Sequence, residues 1–201
     1  MSSYPGDHPE PPADLAHRTP LVLTLPAGTR LSRVHKVGEN PLFFGRTRRN
    51  RFDSPDGTYG VLYAGLDEFC AFIETFGQNT GISIVTTTAL EERHLSYMTI
   101  HNPLTLIDLA SSGGLARIGA DGRLLTGSHE IAQRWSAALH AHPVDPRGIS
   151  YPARHDVARR ACALFDLPNS TFEVFDSGSL IESHSNLLAS ILDTYGFGLV
   201  D

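Results

Sequence analysis

The chain has 201 residues, 41% of them hydrophobic and 19% charged, with a formal net charge of −6. That length suits one domain with a sizeable core, the composition is globular and not disordered, and the acidic balance argues against direct binding to nucleic-acid phosphates. No apolar run approaches the roughly 18 residues that cross a bilayer, so no membrane contact is expected. The N-terminus has neither the basic start nor the apolar core of a signal peptide. Two cysteines, Cys70 and Cys162, sit in apolar contexts and read as reduced core residues, so the expected compartment is the cytoplasm.

In chain order, Met1–Pro20 holds five of the thirteen prolines (Pro5, Pro9, Pro11, Pro12 and Pro20) and few large apolar residues, which predicts a flexible tail over residues 1–20. Leu21–Leu25 predicts a strand closed by Pro26-Ala27-Gly28. Leu31–Val37 predicts a second, with Leu31, Arg33 and His35 on one face. Arg33 then shares a face with an apolar residue. It reads either as an edge-strand arginine reaching solvent, which the pattern alone favours, or as a buried guanidinium that needs an anion.

Arg46, Arg48, Arg49 and Arg51 form a basic loop, which turns through Ser54-Pro55-Asp56-Gly57 with Gly57 free to take positive φ. Val61–Ala64 is a short buried strand containing Tyr63, and Asp67 suits the N-cap of the next helix. In that helix Phe69, Phe72, Ile73 and Phe76 form a core stripe at helical spacing. Glu74 lies on the opposite side, beside Cys70 and Ala71. Periodicity favours a solvated carboxylate there, although a face of small residues also lets a second element or a ligand approach closely.

Beyond it, Ile82–Thr88 reads as a strand, Ala89–His94 as a short helix, and Tyr97–His101 and Leu104–Leu109 as a strand pair broken at Asn102-Pro103. Ser111-Ser112-Gly113-Gly114 reads as a turn, because no G-K-[ST] or GxGxxG completes a phosphate loop. Ser128 is a natural N-cap for a helix over His129–His140. Short strands follow at Ile149–Tyr151, Ala161–Phe165 and Phe172–Phe175, with a last helix over Leu180–Tyr195. The mixed order of elements, without an internal repeat, predicts a single α+β domain.

His140, His142 and His155 raise a metal site, but no HExxH or paired CxxC motif accompanies them, so no metal is expected. No G-x-S-x-G nucleophile motif is present. The RTRRNR run invites an RNA reading, which the acidic whole and the scarcity of neighbouring aromatics disfavour. A local guanidinium cluster in an acidic protein suits a focused site for a small anion instead.

The ordered segments LSRVH, NRF, GVLYAGLDEFCAFIET, LTLIDLAS, TGSHEIAQRWSAALH, GISYPARHD and CALFD resemble the RES domain family, over about residues 30–166. These are the toxins of RES–Xre toxin–antitoxin pairs. The resemblance implies a RES domain over 21–201 with an α+β fold like that of ADP-ribosyltransferase toxins, mixed β-sheets flanked by helices. It also implies an NAD-degrading toxin that cleaves the nicotinamide–ribose bond as a phosphorylase or glycohydrolase. NAD is then substrate and not cofactor, with inorganic phosphate as a co-substrate if the reaction is phosphorolysis. The alternatives are a protein ADP-ribosyltransferase and a non-catalytic module that binds NAD or a partner. Expected partners are an Xre-type antitoxin and a second copy of the chain or a larger toxin–antitoxin assembly.

Carried over residue by residue, the resemblance assigns Arg33, Arg51 and Tyr63 to NAD binding and Glu74 to catalysis, with Arg33 in both roles. The family's serine falls either in the YPAR segment, where this chain has Ala153, or at Ser128, and the resemblance assigns Ser128 to both binding and catalysis. Helix capping explains Ser128 equally well. The residue types suit the chemistry: guanidinium forks bind a diphosphate, and a carboxylate stabilises an oxocarbenium-like ribosyl cation as neutral nicotinamide leaves.

Overall fold

The computed structural model describes residues 9–79 and 81–201. Its strands are β1 (Val22–Leu25), β2 (Arg30–Lys36), β3 (Val61–Gly65), β4 (Ile84–Thr86), β5 (Arg93–Ile100), β6 (Leu104–Asp108), β7 (Gly148–Ala153), β8 (Asp156–Phe165), β9 (Phe172–Ser179) and β10 (Gly198–Val200). The helices are α1 (Glu68–Phe76), α2 (Thr87–Glu91), α3 (Gly114–Ile118), α4 (Arg123–Thr126), α5 (His129–His140), α6 (Leu180–Ser183) and α7 (Ser185–Tyr195). Among the described residues eight strands form one sheet in the order β1-β6-β7-β8-β3-β2-β5-β9, and β4 pairs with β10 apart from it. The β6–β7 and β4–β10 pairs are parallel and the remaining pairs antiparallel. This is the expected α+β domain, a mixed sheet flanked by helices.

Period-two alternation distributes the central strands between two cores. On β8, Ala161, Ala163 and Phe165 join Trp135 and Leu139 of α5 on one face, while Cys162 and Leu164 join Leu31, Met98 and Leu106 on the other. On β3, Val61 belongs to the first core and Leu62 and Ala64 to the second. A third core gathers Phe72 of α1, Leu90 of α2, Leu95 of β5 and Leu188 and Ile191 of α7.

Several expected elements move. The strand expected over 82–88 is confined to Ile84–Thr86, because the Thr86 hydroxyl accepts the Ala89 amide and starts α2 there. The helix expected over Ala89–His94 ends accordingly at Glu91, and Arg93 and His94 open β5. The last helix is split at His184, whose φ of −137° and ψ of 38° are not helical. Gly113, at φ 83°, makes the turn into α3, which begins inside the stretch expected to be loop. The hairpin strands β7 and β8 run to the turn at Ala153–Asp156, longer than the short strands expected.

Of the segment expected to form a flexible tail, residues 1–8 lie outside the described residues. Residues 9–15 are held at α5 and at the turn that follows it. Trp135 Nε1 donates to the Pro9 carbonyl at 2.9 Å, Arg134 pairs with Glu10, and Leu15 is buried with its carbonyl 3.2 Å from His142 Nε2.

Candidate active site

Strands β2 and β3 are neighbours in the sheet, yet among the described residues they pair only at Ser32 and Gly65. Where the ladder lapses, Arg33 and Val34 of β2 and Tyr63 and Ala64 of β3 line a cleft of about 360 Å³. Helix α1 forms one wall through Ala71, Glu74 and Thr75, and the β7–β8 hairpin another through Tyr151, Arg154 and His155. The basic loop adds Asn50 and Arg51, and α5 adds His129. On β8, Ala161 pairs with Tyr151 and lines the cleft, where its small side chain leaves room beside the tyrosine. Helix α1 comes close because β3 ends in glycine. A Cβ on Gly65 would meet the Ala71 nitrogen and the Asp67 oxygen at 2.7 Å.

Four of the five residues expected at the site meet here. Glu74 is half-buried and faces the cleft, and its Oε1 accepts the backbone N–H of Arg154 at 2.8 Å. The small residues Cys70 and Ala71 beside it are buried. Of the two readings open from periodicity, the structure therefore shows the carboxylate on a close-packed face and not on a solvated one. Arg33 likewise does not sit on an edge strand. Its NH1 donates to the carbonyls of Pro41 at 2.9 Å and Phe43 at 3.2 Å, and burial lowers the pKa of its guanidinium.

Arg51 donates from NH1 to the carbonyls of Gly127 at 2.8 Å and Leu124 at 3.3 Å. Its pKa is lowered first by burial and then by the charge of Arg154. Among the described residues no carboxylate forms an ion pair with Arg33, Arg51 or Arg154, whereas Arg46, Arg159 and Arg160 are each paired. Cations that gather in a cleft without a carboxylate partner leave it complementary to an anion.

The Tyr63 hydroxyl is engaged within the protein: it donates to Asp53 Oδ1 and accepts the Phe52 amide, both at 3.0 Å. Burial, followed by the Asp53 carboxylate, raises its pKa well above the ordinary tyrosine value. Buried Asp53 also accepts the amides of Arg49 and Asn50 and the Thr47 hydroxyl, so Tyr63 and Asp53 together shape the basic loop. Gln133 of α5 holds the loop from outside through the carbonyls of Arg48 and Asn50.

Of the four loop arginines only Arg51 reaches the cleft; Arg46 is taken up by Asp166 and the Gly57 and Thr58 carbonyls. Ser128 is not among the cleft-lining residues. Its hydroxyl accepts the Glu130 amide at 3.2 Å as the N-cap of α5, and the neighbouring His129 lines the cleft instead. Ala153, the other position at which the resemblance places the family's serine, is fully buried.

Residue patterns pointed to neither Arg154, His129 nor Tyr151. Arg154 was visible only as part of a polar segment between two strands, and its proximity to Glu74 depends on how the hairpin folds against α1. His155 lines the cleft too, and its Nε2 is buried without a hydrogen-bond partner. Among the described residues no cluster of three or more histidines, cysteines or carboxylates is placed to hold a metal ion, and no helix is long and apolar enough to cross a membrane.

The sequence pattern of the RES domain matches residues 30–180. A protein of Sinorhizobium fredii (strain NBRC 101917 / NGR234), described as probable toxin y4kH, is 36% identical over 112 residues, 55% of this chain and 86% of that protein. The crystal structure of the M. tuberculosis MbcT–MbcA toxin–antitoxin complex contains a chain similar in fold, with a TM-score of 0.54. That similarity covers 77% of this chain and 87% of the other at 14% identity.

Proposed function

The chain belongs to the RES domain family, and from that premise we propose that it is a toxin that consumes NAD by cleaving the bond between nicotinamide and ribose. The observation that carries the reading is the meeting of Arg33, Arg51, Tyr63 and Glu74 around one cleft. The cleft's volume lies within the roughly 300–1,000 Å³ of small-molecule sites. Relatives described as a probable toxin and as part of a toxin–antitoxin complex support the toxin role. An Xre-type antitoxin is proposed to neutralise the protein by covering this cleft.

In this reading Arg33 and Arg51 hold the diphosphate. Arg51 spends one terminal nitrogen on backbone carbonyls, which fixes the plane of its guanidinium fork. The Tyr63 ring shapes the nicotinamide pocket while its hydroxyl stays bound to Asp53. As the glycosidic bond breaks, nicotinamide departs neutral and positive charge develops on the ribose, so no general acid is needed. Glu74, with Oε1 anchored by the Arg154 amide, presents its negative charge to that centre. The cation is then captured by water in hydrolysis or by inorganic phosphate in phosphorolysis. Ser128, proposed from the resemblance to act on the substrate, would have to do so from the N-cap of α5.

Incubating purified protein with NAD, with and without phosphate, and following nicotinamide by chromatography tests the reading. Release in either buffer is the expected result, and free ADP-ribose against its 1-phosphate identifies the acceptor. No release in either buffer overturns the proposal. A labelled protein band from radiolabelled NAD and cell extract, in place of free ADP-ribose, would move the assignment to protein ADP-ribosylation.

A further inference from the structure

Helix α7 lies beyond the residues matched by the family pattern, which ends at 180. Its last residue, Tyr195, nevertheless touches both elements that meet at Glu74. The Tyr195 hydroxyl donates to Asp156 Oδ2 at 2.9 Å, at the turn between β7 and β8. The Tyr195 ring packs edge-on against Phe69 of α1, with centroids 6.3 Å apart. Asp156 also fixes the turn by accepting the Ala158 amide at 3.1 Å, and this same turn presents the Arg154 amide to Glu74 Oε1 at 2.8 Å. Glu74 is one helical turn and a half beyond Phe69 on α1. The carboxylate and its anchor thus ride on separate elements, and one side chain from the C-terminal helix bridges them.

We infer that Tyr195 is a positioning residue: by tying the β7–β8 turn to α1, it holds the Arg154 amide on Glu74 and so sets the carboxylate's orientation in the cleft. The inference rests on Glu74 being the reacting carboxylate, as proposed above. An anchored carboxylate keeps one oxygen on the backbone and offers the other to the ribose; an unanchored one samples several rotamers, few of them productive. The phenol suits the task because it remains a neutral donor: burial and the hydrogen bond to Asp156 raise its pKa. Arg159 reinforces the frame, reaching Asp67 at the start of α1 at 3.0 Å and Asp156 at 3.6 Å.

The test is Tyr195→Phe, which keeps the ring on Phe69 and removes only the hydroxyl. Two readouts are taken: steady-state kinetics of nicotinamide release, and amide hydrogen exchange at Arg154 followed by NMR. Expected are faster exchange at Arg154, no general rise across the sheet, and a kcat lowered roughly 3–10-fold with KM for NAD within about twofold, a fraction of the worth of one hydrogen bond to a carboxylate because Tyr195 acts on Glu74 only through the turn. Asp156→Ala should move both readouts in the same direction and by at least as much, since it also gives up the Ala158 amide and Arg159. The double variant should be no worse than Asp156→Ala alone, because the Tyr195 hydroxyl then has no partner left to lose.

Unchanged exchange at Arg154, an unchanged kcat, additive losses in the double variant, or a rise in exchange throughout the domain each overturn the inference; the last marks a merely structural role. Should the wild-type protein release no nicotinamide, the proposed function fails, while the exchange readout still decides whether Tyr195 holds the turn to Glu74.

Discussion

Glu74 was legible as a residue but ambiguous as a role, because 100° periodicity says which side of a helix a carboxylate occupies and not what faces that side. What faces it is the β7–β8 turn, whose Arg154 amide supplies its anchor. Replacing Glu74 by Gln keeps the size and removes the charge, so nicotinamide release should fall by about 10²–10³-fold, the cost of losing one preorganised electrostatic group. A rate equal to wild type in the same chromatographic assay would place the charge elsewhere. Asp56 offers a test that does not involve the active site. Its carboxylate accepts the Ser54 hydroxyl at 2.7 Å and the Thr58 amide and hydroxyl at 3.0 and 2.8 Å, which hold its pKa at about 2 against an ordinary 3.8. Because the folded value is the lower one, this contribution is present above pH 3.8 and is lost as the pH falls through about 2. An NMR titration of the Asp56 carboxyl should therefore show a midpoint near 2.

At the scale of elements, the site depends on how close α1 lies to β3. Gly65 ends the strand where a Cβ would stand 2.7 Å from two backbone atoms of the helix start. Gly65→Ala is expected to lower the unfolding free energy by about 1–3 kcal/mol, the usual cost of overpacking, read by urea denaturation. It should also lower activity by shifting Glu74. The N-terminal strap makes a second case. Proline content alone reads as disorder, yet Leu15 is only 4% exposed, and Leu15→Ala should cost about 2–5 kcal/mol in the same denaturation experiment. The helix stripe was readable in part, since Phe72 and Ile73 are buried at helical spacing with Phe69 and Phe76 packed beside the core, whereas the burial of Cys70 and Ala71 on the other side depends on what packs there. The splitting of the last helix at His184 and the short helices α3 and α4 were not readable, because segments of four or five residues contain too few repeats to carry a period.

The whole molecule is acidic, yet its cleft gathers Arg33, Arg51 and Arg154. Net charge averages over the surface, whereas a cleft with low-dielectric walls concentrates the field of the few charges that line it. A phosphate-bearing ligand should therefore stabilise the folded protein by mass action. With ADP-ribose at a hundred times its Kd the gain is about 2.7 kcal/mol, measurable as a rise in Tm. Arg51→Ala should abolish that rise without lowering the Tm of the free protein by a comparable amount.

By itself the sequence determined the α+β class, the order of the main strands, the capping of α1 by Asp67 and of α5 by Ser128, and the family. These are local or ordered features, and near neighbours along the chain enforce them. Only the tertiary structure decided that Glu74 faces a cleft, that Arg51 alone of the four loop arginines enters it, and that Arg154 joins it. Those outcomes turn on the parting of β2 from β3 and on contacts between residues far apart in sequence, 80 positions for the Glu74–Arg154 hydrogen bond. Packing sets such distances, and no local pattern records them.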